Sequence, residues 1–84
     1  MMKKIIVTGG LGFIGSNLIE LLIKKNFFVI NIDKSTYSSN LFNVKESKKS
    51  KNYRFIRLDI KNKKLQKILF KYKPVGIFNL AAET

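Results

Sequence analysis

Residues Ile5-Ile6-Val7-Thr8-Gly9-Gly10-Leu11-Gly12-Phe13-Ile14-Gly15 decide how this chain folds. An apolar β-branched run leads into glycines, and an amphipathic run begins near Phe13. Strand, glycine turn and helix, in that order, are the setting in which a dinucleotide fingerprint works. Each glycine has a physical task. A residue without Cβ tolerates positive φ, so Gly9 or Gly10 can turn the chain sharply off the strand. Gly12 lets the backbone approach a pyrophosphate, and Gly15 lets the helix close on the strands. The first helical turn then offers unpaired N–H groups and the positive end of a dipole to phosphate. The glycines read both as Gly10-x-Gly12-x-x-Gly15 and as Gly9-x-x-Gly12-x-x-Gly15.

The helix is expected over Phe13–Lys25, with Ile14, Leu18, Leu21 and Leu22 on its apolar stripe. Glu20 and Lys24 stand four apart in the favourable order for a surface pair, and Asn26 is a plausible stop. Phe27–Asp33 follows as a second strand, rich in aromatic and β-branched residues and ending in an acid. Asp33 lies 18 residues after Gly15. That is close to the spacing of about 20 expected for the carboxylate that binds an adenosine ribose. A carboxylate there repels a 2′-phosphate and favours NAD over NADP, whereas the adjacent Lys34 is the cation an NADP site would want.

Beyond a long polar connection, Lys34 to Asn52, a third strand is expected over Tyr53–Asp59. A second helix, with Asn62 as its N-cap, runs to about Tyr72 before Pro74. Val75–Leu80 reads as a fourth strand, followed by Ala81-Ala82-Glu83-Thr84. The expected fold is α/β, the first half of a doubly wound parallel Rossmann sheet with strand order 3-2-1-4. Gly9, Asp33, Asp59 and Ala81 would then end their strands at one edge, where such folds bind ligands. Small residues at Ala81 and Ala82 leave room there for a flat ring system.

Composition bounds the alternatives. The 84 residues allow one small domain, and 45% hydrophobic content suits a globular chain. No apolar run reaches the length of a membrane span, and the apolar stretch after Lys3-Lys4 is too short for a secretory signal. With neither cysteine nor histidine, disulfides and thiolate chemistry are excluded and no metal site is expected; a cytosolic chain fits. The net charge of +12 invites a nucleic-acid reading, but 15 of the 17 basic residues are lysines spread along the chain. Lys45–Lys51, with four lysines, one glutamate and two serines, reads as a solvated, mobile loop.

With these pieces placed, the chain resembles the dTDP-glucose 4,6-dehydratases, a family of extended short-chain dehydrogenases/reductases. The resemblance covers nearly all 84 residues. Its general part is Thr8–Ser16, a run that sugar-nucleotide epimerases share. Its discriminating part is Asp33-Lys34-Ser35-Thr36-Tyr37-Ser38-Ser39-Asn40-Leu41, similar to the family's Asp-Lys-Leu-Thr-Tyr-Ala-Gly-Asn-Leu. Arg54-Phe55, Asp59-Ile60 and Leu80-Ala81-Ala82-Glu83 also match. Ser38-Ser39 and Thr84 depart from it, standing where Ala-Gly and serine are usual.

The resemblance implies NAD as cofactor, with Phe13 and Ile14 giving backbone groups to the pyrophosphate. It places Asp33, Lys34 and Thr36 around the adenosine ribose, and Asp59 and Ile60 at the adenine. Leu80, Ala81 and Ala82 would line the nicotinamide side, and Thr84 would approach a nucleotide-sugar substrate, dTDP-glucose above all. In this family a bound NAD stores hydride while water is eliminated, giving a 4-keto-6-deoxy sugar nucleotide. The family's catalytic residues and dimer helices lie past residue 84, so no catalytic residue is expected here and a homodimer is expected only of a longer parent. The chain is therefore expected to be the N-terminal part, residues 1–84, of an NAD-binding domain. The residues also leave open a 4-epimerase, a non-catalytic nucleotide-binding module, and polyanion binding through the lysines.

Overall fold

The computed structural model describes residues 2–9, 11–34 and 45–80. Four parallel strands, β1 (Lys4–Thr8), β2 (Phe28–Asp33), β3 (Tyr53–Arg57) and β4 (Gly76–Asn79), form one sheet in the order β3-β2-β1-β4. That is the expected order. The two α-helices of the described residues are α1 (Phe13–Lys24) and α2 (Lys64–Tyr72). None is long and apolar enough to cross a membrane.

Alternation along the strands divides the apolar residues between two faces. Ile5, Val7 and Val29 meet Ile19, Leu22 and Leu11 in one cluster, which is the α1 side. Ile6, Ile30 and Ile32 form the other, covered by Leu65, Ile68, Leu69 and Tyr72 of α2. β1 and β2 are thus buried on both faces, which is why they read as continuous apolar runs rather than alternating ones. β4 is an edge strand among the described residues, with Ile77 and Phe78 about half exposed.

The buried stripe of α1 differs from the expected one. Gly15, Ser16, Ile19 and Leu22 are buried, whereas Ile14 is 74% and Leu21 49% exposed. Leucine and isoleucine occupy so much of this helix that two overlapping stripes satisfy the helical period. Gly15 is on the one that faces the sheet, where a residue without a side chain permits close approach. Ser16 fits that apolar side because its hydroxyl donates to the Phe13 carbonyl at 2.9 Å. The expected Glu20–Lys24 pair forms at 3.4 Å.

The long connection also differs from expectation. Ser47–Lys49 forms a 3-10 turn rather than an unstructured lysine–serine loop, and Ser47 is buried in it. Contacts of this turn with α1 and β3 account for the burial, while Lys48 and Lys49 remain in solvent.

Turn chemistry closes the helices. Asn26 takes φ 69° after α1, the left-handed stop that asparagine tolerates. Asn62 Oδ1 accepts the Lys64 N–H at 2.9 Å, so the expected cap is made although α2 is counted from Lys64. Lys73 ends α2 at φ 48°, ψ 59°, a conformation that costs a residue with a Cβ roughly 1 kcal/mol. Lys73→Gly is therefore expected to raise stability by about 0.5–1 kcal/mol, read as a higher urea midpoint at unchanged slope. A lower midpoint would show that the lysine side chain outweighs the backbone strain.

Candidate functional site at the strand ends

Because all four strands are parallel, their C-terminal ends lie along one edge of the sheet. Backbone hydrogen bonds lace that edge together: Gly9 N–H to the Ile32 carbonyl at 2.9 Å, Leu58 N–H to Asp33 at 3.0 Å, and Leu80 N–H to Thr8 at 2.8 Å. The Thr8 hydroxyl adds a bond to Asn79 Oδ1 at 2.6 Å, fastening β4 to β1 beside the glycine turn.

Gly9 is the residue that turns the chain, at φ 76°. Gly9 thus takes the positive φ that the turn was expected to need; Gly10 lies outside the described residues. Gly12 has an ordinary extended backbone, φ −72° and ψ 172°, so its lack of a side chain answers no local strain. Among the described residues, chain neighbours aside, a Cβ placed there would meet nothing nearer than the Gly9 carbonyl oxygen at 3.7 Å. The fold itself would accept a methyl at Gly12.

The first α1 hydrogen bond runs from Ser16 N–H to the Gly12 carbonyl at 2.9 Å, leaving the N–H groups of Phe13, Ile14 and Gly15 ahead of it. Gly12 makes no side-chain cap, and no acidic residue stands in the first turn. Phe13 and Ile14 are 78% and 74% exposed. The positive end of α1 is therefore open and unneutralised, an arrangement suited to an anionic oxygen.

Asp33 is held against this loop. Its Oδ2 accepts the Leu11 N–H at 3.2 Å, and Leu11 itself is buried in the α1-side cluster. The carboxylate at the end of β2 is thus tied to Leu11 of the glycine loop. Lys34 is exposed just beyond it. Asp59 is exposed on the turn after β3, where its Oδ1 accepts the Lys61 N–H at 3.0 Å, and Ile60 beside it is half-buried. Leu80 continues β4 at the same edge, partly exposed. Gly9, Gly12, Phe13, Ile14, Gly15, Asp33, Asp59, Ile60 and Leu80 are thus all at or next to strand ends on this edge. Thr36, Ala81, Ala82 and Thr84 lie outside the described residues.

Three contacts at or below the edge escaped sequence reasoning: Leu11 to Asp33, Thr8 to Asn79, and a bond from Asn31 Nδ2 to Tyr53 Oη at 3.0 Å. The last had a visible signal, an asparagine interrupting the apolar run Val29-Ile30-Asn31-Ile32. Burial pushes the Tyr53 hydroxyl above its ordinary value, the Asn31 hydrogen bond pulls against that, and the charge of Asp33 adds to the rise. Tyr53 therefore stays protonated.

A parallel sheet with helices on both faces, a glycine turn off its central strand and an acid at the next strand end defines a Rossmann-type nucleotide-binding fold. The chain belongs to the GDP-mannose 4,6-dehydratase family, whose model matches residues 6–84. It is 43% identical over 82 residues to a probable dTDP-glucose 4,6-dehydratase of Sinorhizobium fredii, covering 96% of this chain and 23% of that protein. A crystal structure of dTDP-glucose 4,6-dehydratase from Bacillus anthracis in complex with NAD superposes with TM-score 0.86 at 39% identity, covering 96% of this chain and 27% of that one. An epimerase of Methanothermobacter thermautotrophicus follows at TM-score 0.81 and 37% identity, over 98% of this chain and 23% of that one. The resemblance seen in the sequence is borne out, and the chain spans about a quarter of the length of these relatives.

Proposed function

We propose that this chain forms the NAD-binding part of a sugar-nucleotide 4,6-dehydratase acting on dTDP-glucose, residues 1–84 being the N-terminal portion of the cofactor domain. The observation that carries this is the pairing of an open α1 N-terminus with Gly12. Among the described residues, chain neighbours aside, an added Cβ at Gly12 meets no atom nearer than the Gly9 carbonyl oxygen at 3.7 Å, and the first turn of α1 has no side-chain cap. That is the shape a pyrophosphate needs. Bound NAD would supply a reversible hydride acceptor. This chain's residues bind and orient: Gly12, Phe13 and Ile14 at the phosphates, Asp33 with Lys34 and Thr36 at the ribose, Asp59 and Ile60 at the adenine. Leu80, Ala81 and Ala82 flank the nicotinamide, and Thr84 stands toward the sugar. With it go a cytosolic location, a homodimeric parent, and no nucleic acid or membrane as partner.

Calorimetric titration at about 150 mM salt separates NAD binding from charge-driven binding, because the latter falls steeply with salt. NAD is expected to bind and an unrelated DNA duplex not to. The reverse result would replace the cofactor reading with a polyanion one. Asp33→Asn keeps an acceptor for Leu11 N–H but removes the charge that repels a 2′-phosphate. It is expected to narrow the NAD-over-NADP preference by about tenfold, a charge-assisted hydrogen bond being worth roughly 1.5–3 kcal/mol. An unchanged preference would sink the ribose assignment.

The runner-up is a 4-epimerase, supported by the likeness to the Methanothermobacter thermautotrophicus epimerase. Mass spectrometry of the nucleotide sugar after reaction with the full-length parent decides between them. A dehydratase product has lost one water, and an epimerase product has the mass of its substrate.

A further inference from the structure

Asn31 is an unusual residue for its place. It sits in mid-strand in β2 with none of its surface exposed, in a row whose other members are Phe78, Val7 and Phe55. A β-branched apolar side chain would fill such a position with no demand for partners, whereas a buried amide must be hydrogen-bonded. Asn31 meets the demand across the sheet, donating from Nδ2 to Tyr53 Oη at 3.0 Å. Among the described residues no buried side-chain nitrogen or oxygen lacks a partner.

The position of this pair gives it a use. Tyr53 opens β3 opposite Val29, so its hydroxyl spans one row of the sheet to reach Asn31. Asn31 and Asp33 are two apart on the same face of β2, about 7 Å along the strand. Directly above the pair are therefore the Asp33 carboxylate, its bond to Leu11 N–H, and the backbone bond from Leu58 to Asp33. A fully satisfied buried polar pair fixes one arrangement where apolar packing tolerates several.

We infer that Asn31 and Tyr53 are positioning residues, a polar rivet between β2 and β3 that sets the Asp33 carboxylate and the glycine loop in the geometry that receives the adenosine ribose. This rests on the NAD-binding reading above. The protonated state of Tyr53 suits the role, since the hydroxyl accepts from Asn31 without placing a second negative charge beneath Asp33.

The test compares the full wild-type chain, Tyr53→Phe, and the double variant Asn31→Leu/Tyr53→Phe, measuring urea stability and calorimetric affinity for NAD and NADP. Tyr53→Phe takes the Tyr53 Oη acceptor from Asn31 Nδ2 and is expected to lower both stability and NAD affinity, the latter about fivefold. Replacing both partners by apolar groups of similar shape removes the donor that lost its acceptor, so the double variant should regain stability relative to Tyr53→Phe. Its NAD affinity should stay about fivefold weak and its NAD-over-NADP preference narrowed, because the rivet is still missing. Recovery of stability and affinity together overturns the inference and leaves the pair a packing element. Should the double variant not fold, unchanged NAD affinity in folded Tyr53→Phe overturns it equally. A wild-type chain that binds no NAD removes both readings; a binding wild type with insensitive variants removes this one alone.

Discussion

Gly12→Val is expected to weaken NAD binding about tenfold to 100-fold while leaving the chain folded. Most glycine replacements confound these outcomes, because the glycine is needed by the backbone as well as by the ligand. Here they separate. Gly12 has a φ of −72°, and among the described residues, chain neighbours aside, the nearest atom to an added Cβ is 3.7 Å away. If the pyrophosphate crosses Gly12 as proposed, the two valine methyls would crowd it there. Intruding on a close-packed contact costs roughly 1–3 kcal/mol, which lowers affinity about tenfold to 100-fold. Calorimetry gives the affinity, and a urea midpoint within error of wild type shows that the fold is intact. Undiminished NAD binding would mean that the pyrophosphate does not cross this glycine. Gly9→Val is the contrasting variant: at φ 76° it strains the turn itself, so it should lose stability as well.

The second large effect is on stability. Ile30→Ala is expected to cost about 2–5 kcal/mol, measured by urea unfolding. Ile30 is fully buried and, with Ile6 and Ile32, makes the buried floor on which α2 rests among the described residues. A domain of ordinary stability has about 5–15 kcal/mol in total, so this one deletion should bring the chain near its unfolding threshold. Phe70→Ala is the internal control. Phe70 lies on α2 too but is 80% exposed, and its loss should change stability by less than about 0.5 kcal/mol. Equal effects from the two variants would mean that α2 does not seat on this face as described.

Some of the site was legible from spacing because its determinants are local. Glycine, turn and helix follow one another within eight residues, and Asp33 closes a strand recognisable by its β-branched run. The Asn62 cap, the Glu20–Lys24 pair and the stop at Asn26 are likewise interactions within one turn, and each forms as read. Where the reading failed, the deciding partner was remote. The stripe Ile14, Leu18, Leu21 and Leu22 has sound helical spacing, yet Ile19 and Gly15 face the sheet. Only the seating of α1 on Val7 and Val29 chooses between them. Ser47 looked like one more serine in a lysine run until its turn packed on α1 and β3.

The sequence by itself determined the element order, the parallel sheet in the order β3-β2-β1-β4, and the family. Hydrophobic period, glycine placement and right-handed crossover leave almost no other arrangement. The tertiary structure alone decided that Gly9 takes positive φ, that Gly12 has ordinary extended backbone, and that Asp33 grips the loop through Leu11. It alone paired Asn31 with Tyr53 across 22 positions of chain. The physical reason is common to all of these. A residue's period and propensity are properties of its neighbours in sequence, whereas its hydrogen-bond partner and the space around its Cβ are set by segments the fold brings to it.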